Sequence, residues 1–490
     1  MSYFAAADLG AESGRVILGH LLGGKLSLEE IHRFINEPVR LPTGLYLDSL
    51  RLWRDILRGL SILGRERKLS LDGVGVDTWG VDFGLLGNDG TLVDNPRHYR
   101  DSRNNGMLDK AFAIVPQEEI FAQTGIQFMQ LNTLYQLYAM KLAWSPALDA
   151  ARILLFMPDL FHYFLTGVKK AELTIASTSQ MYNPIGGRWT AELLRTLRIA
   201  PDILPPIVPP GMLLGPILPY VAEETGLAPG TPVYATATHD TAAAVAAVPA
   251  ATDNDWCYIS SGTWSLMGME LDEPVINQEA IELNFTNEVG VEGRIRFLKN
   301  IMGLWPLQEC RRAWSLEGHD YSYEDLARMA ADAPAFRAVI DPDAFLEPGQ
   351  MPQRIAEFCR KTGQPAPDSP GTTARVILES LALRYREVLG NLEALTGRPL
   401  RIIHIVGGGS RNSLLNQFVA DCTGRPVVAG PAEATAAGNI LVQAMGAGLV
   451  SGLDSIREVV RASFETRRYQ PASSKGWDAA WQRFQRLRES

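Results

Sequence analysis

The chain has 490 residues, 46% of them apolar and 21% charged, with a net charge of −9. That length exceeds what one hydrophobic core sustains, so two domains are expected. The acidic balance excludes a nucleic-acid partner, which needs basic stripes, and no run approaches the roughly 20 apolar residues of a membrane span.

The opening MSYFAAADLG has neither a basic start nor a long apolar run, so no secretory leader is expected. Phe4 to Leu9 reads as a strand, Gly10-Ala11-Glu12-Ser13-Gly14 as a turn of small residues, and Arg15 to Leu22 as the returning strand. Gly23-Gly24 turns the chain into a third strand near Leu26 to Phe34. Leu52, Ile56, Leu60 and Leu63 carry helical spacing through Ser49 to Lys68. Gly73 to Asp77 is a short strand, followed by Thr78-Trp79-Gly80-Val81-Asp82. Asn104 to Ala200 reads as mainly helical, and the proline-rich Pro201 to Pro219 as an extended connector. Val233 to Thr236 is a strand, after which His239-Asp240-Thr241 opens an alanine-rich helix.

A break follows at Pro249-Ala250-Ala251-Thr252-Asp253-Asn254-Asp255, and then the opening pattern returns. Cys257 to Ser260 is a strand, Ser261-Gly262-Thr263 a small turn, and Trp264 to Met269 a strand again. This strand–turn–strand repeat, about 250 residues after the first, marks a second domain. Pro370 to Leu395 reads as a long amphipathic helix, Leu400 to Val406 as a buried strand running into Gly407-Gly408-Gly409, and Ser413 to Cys422 as a helix. Pro426 to Ala429 is a strand and Ala432 to Met445 another helix. The division expected is 1–248, 249–454 and a helical tail at 455–490.

In the first turn, glycines bring backbone N–H groups close to phosphate oxygens, Ser13 adds a hydroxyl, Arg15 reaches a phosphate, and Asp8 holds Mg²⁺ directly or through water. An ordinary hairpin uses the same residues, so the pair of turns says more than either alone. The three glycines at 407–409 leave backbone bare for a flat or anionic ligand. Asp240, at a helix start, is either a cap or the base that takes a proton from a sugar hydroxyl. The helix N-terminus is expected to lower its pKa, which phosphoryl transfer tolerates because positioning dominates. Asp77, Trp79 and Asp82 suit a polyhydroxylated ligand, with core packing an equal reading of Trp79, and Asn95 to Asp101 is a loop that could complete such a site. Paired carboxylates also occur in glycosidases, but those have no phosphate to cradle. Cys257, Cys310, Cys359 and Cys422 form no C-x-x-C pair and read as packed thiols of a reducing cytoplasm. The histidines other than His239 show no metal-ligand spacing.

Together these segments resemble the FGGY carbohydrate kinases, most closely the rhamnulokinase branch. They are DLGAESGRV from Asp8, GVDTWGVDFGLL from Gly75, HDTAAAV from His239, YISSGTWSLMG from Tyr258, LKNIMGLW from Leu298, IVGGGSRNSLLNQFVAD from Ile405 and AGPAEATAAGNI from Ala429. The resemblance implies an α/β fold of two ribonuclease-H-like, actin-like ATPase domains with a deep interdomain cleft. It implies ATP contacts at Ala11, Glu12, Ser13, Gly14, Arg15, Thr263, Gln308 and Gly408, and substrate contacts at Gly80, His239, Asp240, Thr241 and Asn300, with Asp240 as catalytic base. The implied reaction moves the γ-phosphoryl group of Mg·ATP to the 1-hydroxyl of L-rhamnulose. L-fuculose, L-ribulose or L-xylulose are the alternative ketoses, and a non-kinase actin-like ATPase is a further alternative. Glu12 departs from the serine common at its position, and a carboxylate there repels a triphosphate unless it faces the metal or solvent. Whether the protein is a monomer or a homodimer is not fixed by the sequence.

Overall fold

The computed structural model describes residues 1–251 and 255–489. Thr252 to Asn254, in the middle of the expected break, and Ser490 of the tail lie outside the described residues. The chain forms two compact units, neither continuous in sequence. The first comprises Met1–Ala247, Glu270–Phe297 and Ala434–Ser463; the second comprises Val248–Met269, Leu298–Glu433 and Phe464–Ser490. The residues after 454, expected as one helical tail, are thus divided. Helix Leu453–Ser463 belongs to the first unit, whereas a short strand and helix Trp477–Glu489 belong to the second.

The first unit is built on strands β1 (Ser2–Leu9), β2 (Ser13–Leu22), β3 (Lys25–Ile35), β4 (Gly73–Thr78), β5 (Met212–Pro216) and β6 (Pro232–Ala235). They lie in the order β5-β6-β4-β1-β2-β3. The β1–β2 and β2–β3 pairs are antiparallel, while β4 runs parallel to both β1 and β6. Gly23 and Gly24 both take positive φ in the β2–β3 turn, as a tight hairpin requires. The proline-rich connector is more ordered than expected: part of it is β5, which occupies a sheet edge with a register shift between Leu213 and Gly215. An edge tolerates prolines because it needs only half of its backbone bonds. The expected helical region also contains strand Ile153–Phe156, paired with Phe83–Leu86.

Two buried helices explain the alanine-rich sequences. Helix Asp240–Ala246 packs against helix Ala434–Gly446 so closely that a Cβ on Gly438 would stand 1.8 Å from the Ala243 carbonyl oxygen. Only small side chains permit such an approach. The second helix also touches the sheet: a Cβ on Gly19 would meet Ile440 at 2.6 Å, and one on Gly75 would meet Gln443 at 2.8 Å.

The second unit repeats the scheme in a seven-stranded sheet with β7 (Trp256–Ser261), β8 (Trp264–Leu271), β9 (Ile295–Met302), β10 (Ile402–Val406), β11 (Val427–Ala429) and β12 (Arg467–Tyr469), in the order β9-β8-β7-β10-β11-β12, and strand Thr286–Val289 outside β9. Residues 270–297, Glu288 and Arg296 among them, count with the first unit. β7 and β8 form the antiparallel hairpin, and β10 runs parallel to β7 and β11. Hairpin, third strand and two parallel strands recur in one order in both sheets, so the repeat read from two short turns extends to whole sheets. Helix Pro370–Thr396 starts with a Ser369–Thr372 capping box and ends at Gly397 in the left-handed region, as its sequence dictates. Among the described residues no helix is long and apolar enough to cross a membrane, and all four cysteines are free and buried.

Candidate active site

In the first unit, β1 and β4 end side by side, pairing Asp8 with Asp77 and Leu9 with Thr78. The β1–β2 turn is closed by Gly10 N donating to Ser13 O at 2.9 Å. Asn36, just past β3, clamps it from behind: its side chain donates to Gly10 O at 2.8 Å and its backbone N–H to Glu12 O at 2.9 Å. Neither Gly10 nor Gly14 takes a positive φ. Gly14 is required for a different reason, since a Cβ there would lie 2.1 Å from the Phe34 ring. Ala11 and Ser13 are half-buried and the side chain of Glu12 is exposed, so the odd carboxylate of this turn faces solvent. Arg15 Nη2 donates to Asp8 Oδ2 at 2.5 Å.

Asp77 is fully buried. Asn439 Nδ2 donates to its Oδ2 at 2.5 Å, and Gln443 Nε2 supports Asn439 Oδ1 at 2.6 Å. The other oxygen of Asp77 has no hydrogen-bond partner. Burial, then the negative charge of Asp8, pushes its carboxyl well above the usual range.

The backbone beyond β4 meets the start of helix Asp240–Ala246 directly: Thr78 N donates to Thr238 O at 2.9 Å. Gly80 lies beside His239, with a Cβ at position 80 falling 3.3 Å from Thr178 Oγ1 and 3.5 Å from His239 Nε2. The next residue, Val81, has φ +70°, and Asp82 N donates to Gly80 O at 3.0 Å. A β-branched residue at the centre of a γ-turn of this hand is strained. Thr133 Oγ1 holds the turn by donating to Val81 O at 2.7 Å. Trp79 and Asp82, expected to face a sugar, instead serve the scaffold. Trp79 Nε1 donates to Asp82 Oδ2 at 2.9 Å and Gln136 Nε2 to Asp82 Oδ1 at 3.1 Å, with both residues buried. Burial raises the Asp82 carboxyl to about 7. In the loop Asn95 to Asp101, Asn95 is exposed while His98, Tyr99 and Asp101 are buried: Asp101 accepts from the backbone N–H groups of Leu45 and Arg103, and Arg97 covers the Tyr46 ring. Asp101 and Arg97 dock the loop on the short hairpin of residues 39–46.

Asp240 is the first helical residue and His239 the N-cap, which has no side-chain capping bond. Asp240 therefore caps less than its sequence position suggested. Its Oδ1 accepts from Thr241 N at 2.5 Å and Thr241 Oγ1 at 3.1 Å, and His239 Nε2 stands 3.4 Å away. The helix start was expected to lower its pKa, but burial and the charge of Asp8 raise it, against the opposing effect of His239. The side chain is 30% exposed.

Glu172, which no pattern in the sequence singles out, ties this loop down. It is fully buried and accepts from Thr238 N at 3.1 Å, Thr238 Oγ1 at 2.6 Å, Thr174 N at 2.9 Å, Thr174 Oγ1 at 2.5 Å and Ile175 N at 3.3 Å. Thr174 Oγ1 in turn accepts from His239 N at 3.1 Å.

The second unit carries Thr263, Gln308, Gly408 and Asn300. Trp305 N donates to Thr263 O at 3.2 Å and Leu304 N to Gly262 O at 3.0 Å, joining the β7–β8 turn to helix Trp305–Leu316 that carries Gln308. Oε1 of Gln308 is buried with no hydrogen-bond partner. Asn300 is half-buried near the end of β9. The glycine run divides into three cases. Gly407 has φ +81°; Gly409 packs so that a Cβ would lie 2.1 Å from Ser261 Oγ; a Cβ on Gly408 would meet nothing within 4 Å. Two glycines are accounted for by the fold, and the exposed third is bare without an internal reason.

No cluster of three or more His, Cys, Asp or Glu side chains arranged as a metal cage occurs among the described residues. The neighbouring carboxylates of Asp8 and Asp77, one with an unpartnered oxygen, nevertheless suit a divalent cation that completes its shell with phosphate oxygens and water.

Each half of this arrangement is a sugar-kinase half. The N-terminal domain model of the FGGY family of carbohydrate kinases matches residues 3–247 and its C-terminal domain model residues 257–447. The chain belongs to that family and is a sugar phosphotransferase. It is 47% identical over 483 residues to a rhamnulokinase of Bacteroides thetaiotaomicron, covering 98% of both chains. It is 43% identical to one of Pectobacterium atrosepticum, covering 98% of this chain and 96% of that one. Among solved structures, a xylulose kinase of Lactobacillus acidophilus superposes with a TM-score of 0.81 at 16% identity, covering 100% of this chain and 98% of that one. A glycerol kinase of Plasmodium falciparum superposes at 0.78 and 14% identity with the same coverage. These likenesses establish the two-domain actin-like fold. The family implies ATP as phosphoryl donor, typically with a divalent metal.

Proposed function

We propose that the protein is a rhamnulokinase, transferring the γ-phosphoryl group of Mg·ATP to the 1-hydroxyl of L-rhamnulose, with Asp240 as general base. The observation that carries the chemistry is the asymmetry of Asp240. Its Oδ1 is pinned by Thr241 N and Oγ1, which leaves Oδ2 to accept the hydroxyl proton. As that proton moves to Asp240, the sugar oxygen forms its bond to the γ-phosphorus, and the bond to the bridging oxygen breaks, releasing ADP with the electron pair. The raised pKa of Asp240 makes it a better proton acceptor than an exposed aspartate. The choice of ketose is supported by the similarity to proteins named rhamnulokinase over nearly the whole chain.

Gly80, His239, Asp240 and Thr241 form the sugar-binding set of the first unit, and Asn300 is the sugar contact of the second. The backbone of Ala11 to Gly14, with the Ser13 hydroxyl, binds phosphate oxygens. Glu12 contributes its N–H alone. Arg15 orients Asp8 as well as reaching a phosphate. Asp8 would hold Mg²⁺, directly or through water, and the ion would offset the charge that builds on the transferring group. Thr263, Gln308 and Gly408 bind nucleotide, which gives the bare Gly408 and the unpartnered Gln308 Oε1 a purpose. We place the protein in the cytoplasm.

ADP release measured over a panel of ketoses and glycerol tests the assignment. L-rhamnulose is expected to be the preferred acceptor; turnover of another ketose without L-rhamnulose would remove the specificity. Asp240→Asn is expected to lose about 10²-fold or more in kcat, and full activity in that variant would remove the base.

A further inference from the structure

Behind His239 lies a pair of charges that the chemistry above does not use. Arg296 on β9 is fully buried, and Glu288, in the strand Thr286–Val289, is 4% exposed. Arg296 Nη2 donates to Glu288 Oε2 at 3.1 Å and also reaches His239 Nδ1 at 3.1 Å with hydrogen-bond geometry. Glu288 Oε2 is 3.3 Å from that same nitrogen. A second guanidinium nitrogen, Nη1, is buried without any hydrogen-bond partner. Such a pair is an expensive way to fill a core, since an apolar replacement is often as stable or more so. Its retention calls for a role in specifying the site.

We propose that Arg296, anchored by Glu288, is a positioning residue that fixes the tautomer of His239 and through it the orientation of the Asp240 carboxylate. A guanidinium can only donate. Nδ1 also faces Glu288 Oε2, which can only accept, at 3.3 Å. The shorter Arg296 contact, 3.1 Å with hydrogen-bond geometry, is assigned as the bond Nδ1 makes, which puts the imidazole proton on Nε2. That nitrogen stands 3.4 Å from Asp240 Oδ1, on the side of the carboxylate already held by Thr241 N and Oγ1. The Nε2 proton draws Oδ1 toward His239, and Oδ2 is left turned to the acceptor hydroxyl. The opposite tautomer would set a nitrogen lone pair against a carboxylate oxygen and push it out of register.

The inference rests on Asp240 as the base, and the test keeps the two separable. With ¹⁵N-histidine-labelled whole protein, long-range ¹H–¹⁵N spectra at neutral pH report which ring nitrogen of His239 is protonated. The seven histidines are sorted by the signal lost in His239→Gln. A proton on Nε2 alone is expected; a proton on Nδ1, with or without one on Nε2, overturns the proposal. Arg296→Met is then expected to move the proton to Nδ1 and lower kcat about tenfold, a fraction of the full general-base effect, while the KM for ATP stays unchanged. Should Arg296→Met not fold, Glu288→Gln serves as the second variant, with kcat lowered several-fold. Unchanged kcat in whichever variant folds overturns the proposal. Full activity in Asp240→Asn would remove the base and leave the spectrum to report the tautomer regardless.

Discussion

Glu172→Gln is the most informative single change outside the reacting groups. The amide oxygen must take the place of Oε2, where Thr238 N, Thr238 Oγ1, Thr174 Oγ1 and Ile175 N all donate. The NH₂ group then faces Thr174 N, which loses its acceptor at about 1–3 kcal/mol. The four remaining bonds change from charge-assisted to neutral, losing about half of their strength. Part of this is offset because burial already disfavours the ionised carboxylate, raising its pKa, and a neutral amide is cheaper to bury. The expected balance is a loss of about 2–4 kcal/mol, in the range of a broken buried network, read from urea unfolding of wild type and variant. A second consequence follows because Thr238 and His239 hang from this cluster: kcat at saturating sugar and ATP should fall at least severalfold under conditions where the variant is folded. A destabilised variant with wild-type kcat would refute the tether; a variant as stable as wild type would refute the bond-by-bond reasoning.

The glycines of the second unit make opposite predictions. Gly408→Ala should leave stability within about 0.5 kcal/mol and raise the KM for ATP, because its Cβ meets no protein atom; an unchanged KM would count against a nucleotide there. Gly409→Ala, whose Cβ falls 2.1 Å from Ser261 Oγ, should cost about 1–3 kcal/mol in chemical denaturation. Acid should act through His162, whose Nε2 accepts from Val76 N at 3.0 Å and whose pKa burial lowers from 6.5 to about 3. The unfolded chain takes up this proton below about pH 6.5 and the folded chain does not, so stability is lost as pH falls through that window. The stability advantage of wild type over the non-titrating His162→Gln should shrink between pH 7 and 4, and a constant difference would show that His162 does not titrate as its burial dictates.

How much of this was legible in the sequence depended on what each residue does. The hairpins were legible because a strand's alternation and a small turn are local, and Gly23-Gly24 can hardly do anything else. At the Asp240 segment the helix start was legible, but its electrostatics were not. A helix start argues for a low pKa, whereas burial and the charge of Asp8, far away in sequence, decide the direction. Trp79 and Asp82 were placed on the wrong side of their loop, because a strained turn at Val81 is invisible in composition. Glu172, Glu288 and Arg296 went unnoticed since the Thr238–His239 segment they meet lies 49 to 66 residues away in the chain. Asn439 and Gln443 did carry a signal: two amides one turn apart in an otherwise apolar helix must find partners inside the protein, and they find Asp77 and the β1 backbone.

The late helix Ala434–Gly446 has a consequence for how the protein is made. Residues 240–246 leave the ribosome nearly two hundred residues before the segment that covers them, and Asp77 waits longer still for the side chain of Asn439. Throughout that interval the nascent first unit carries an uncovered apolar helix face and an uncovered face of its sheet. Such surfaces are where chains associate wrongly. The first unit is thus finished by the chain's last quarter, and a ribosome that stops after residue 433 releases a chain whose first unit cannot close its own core.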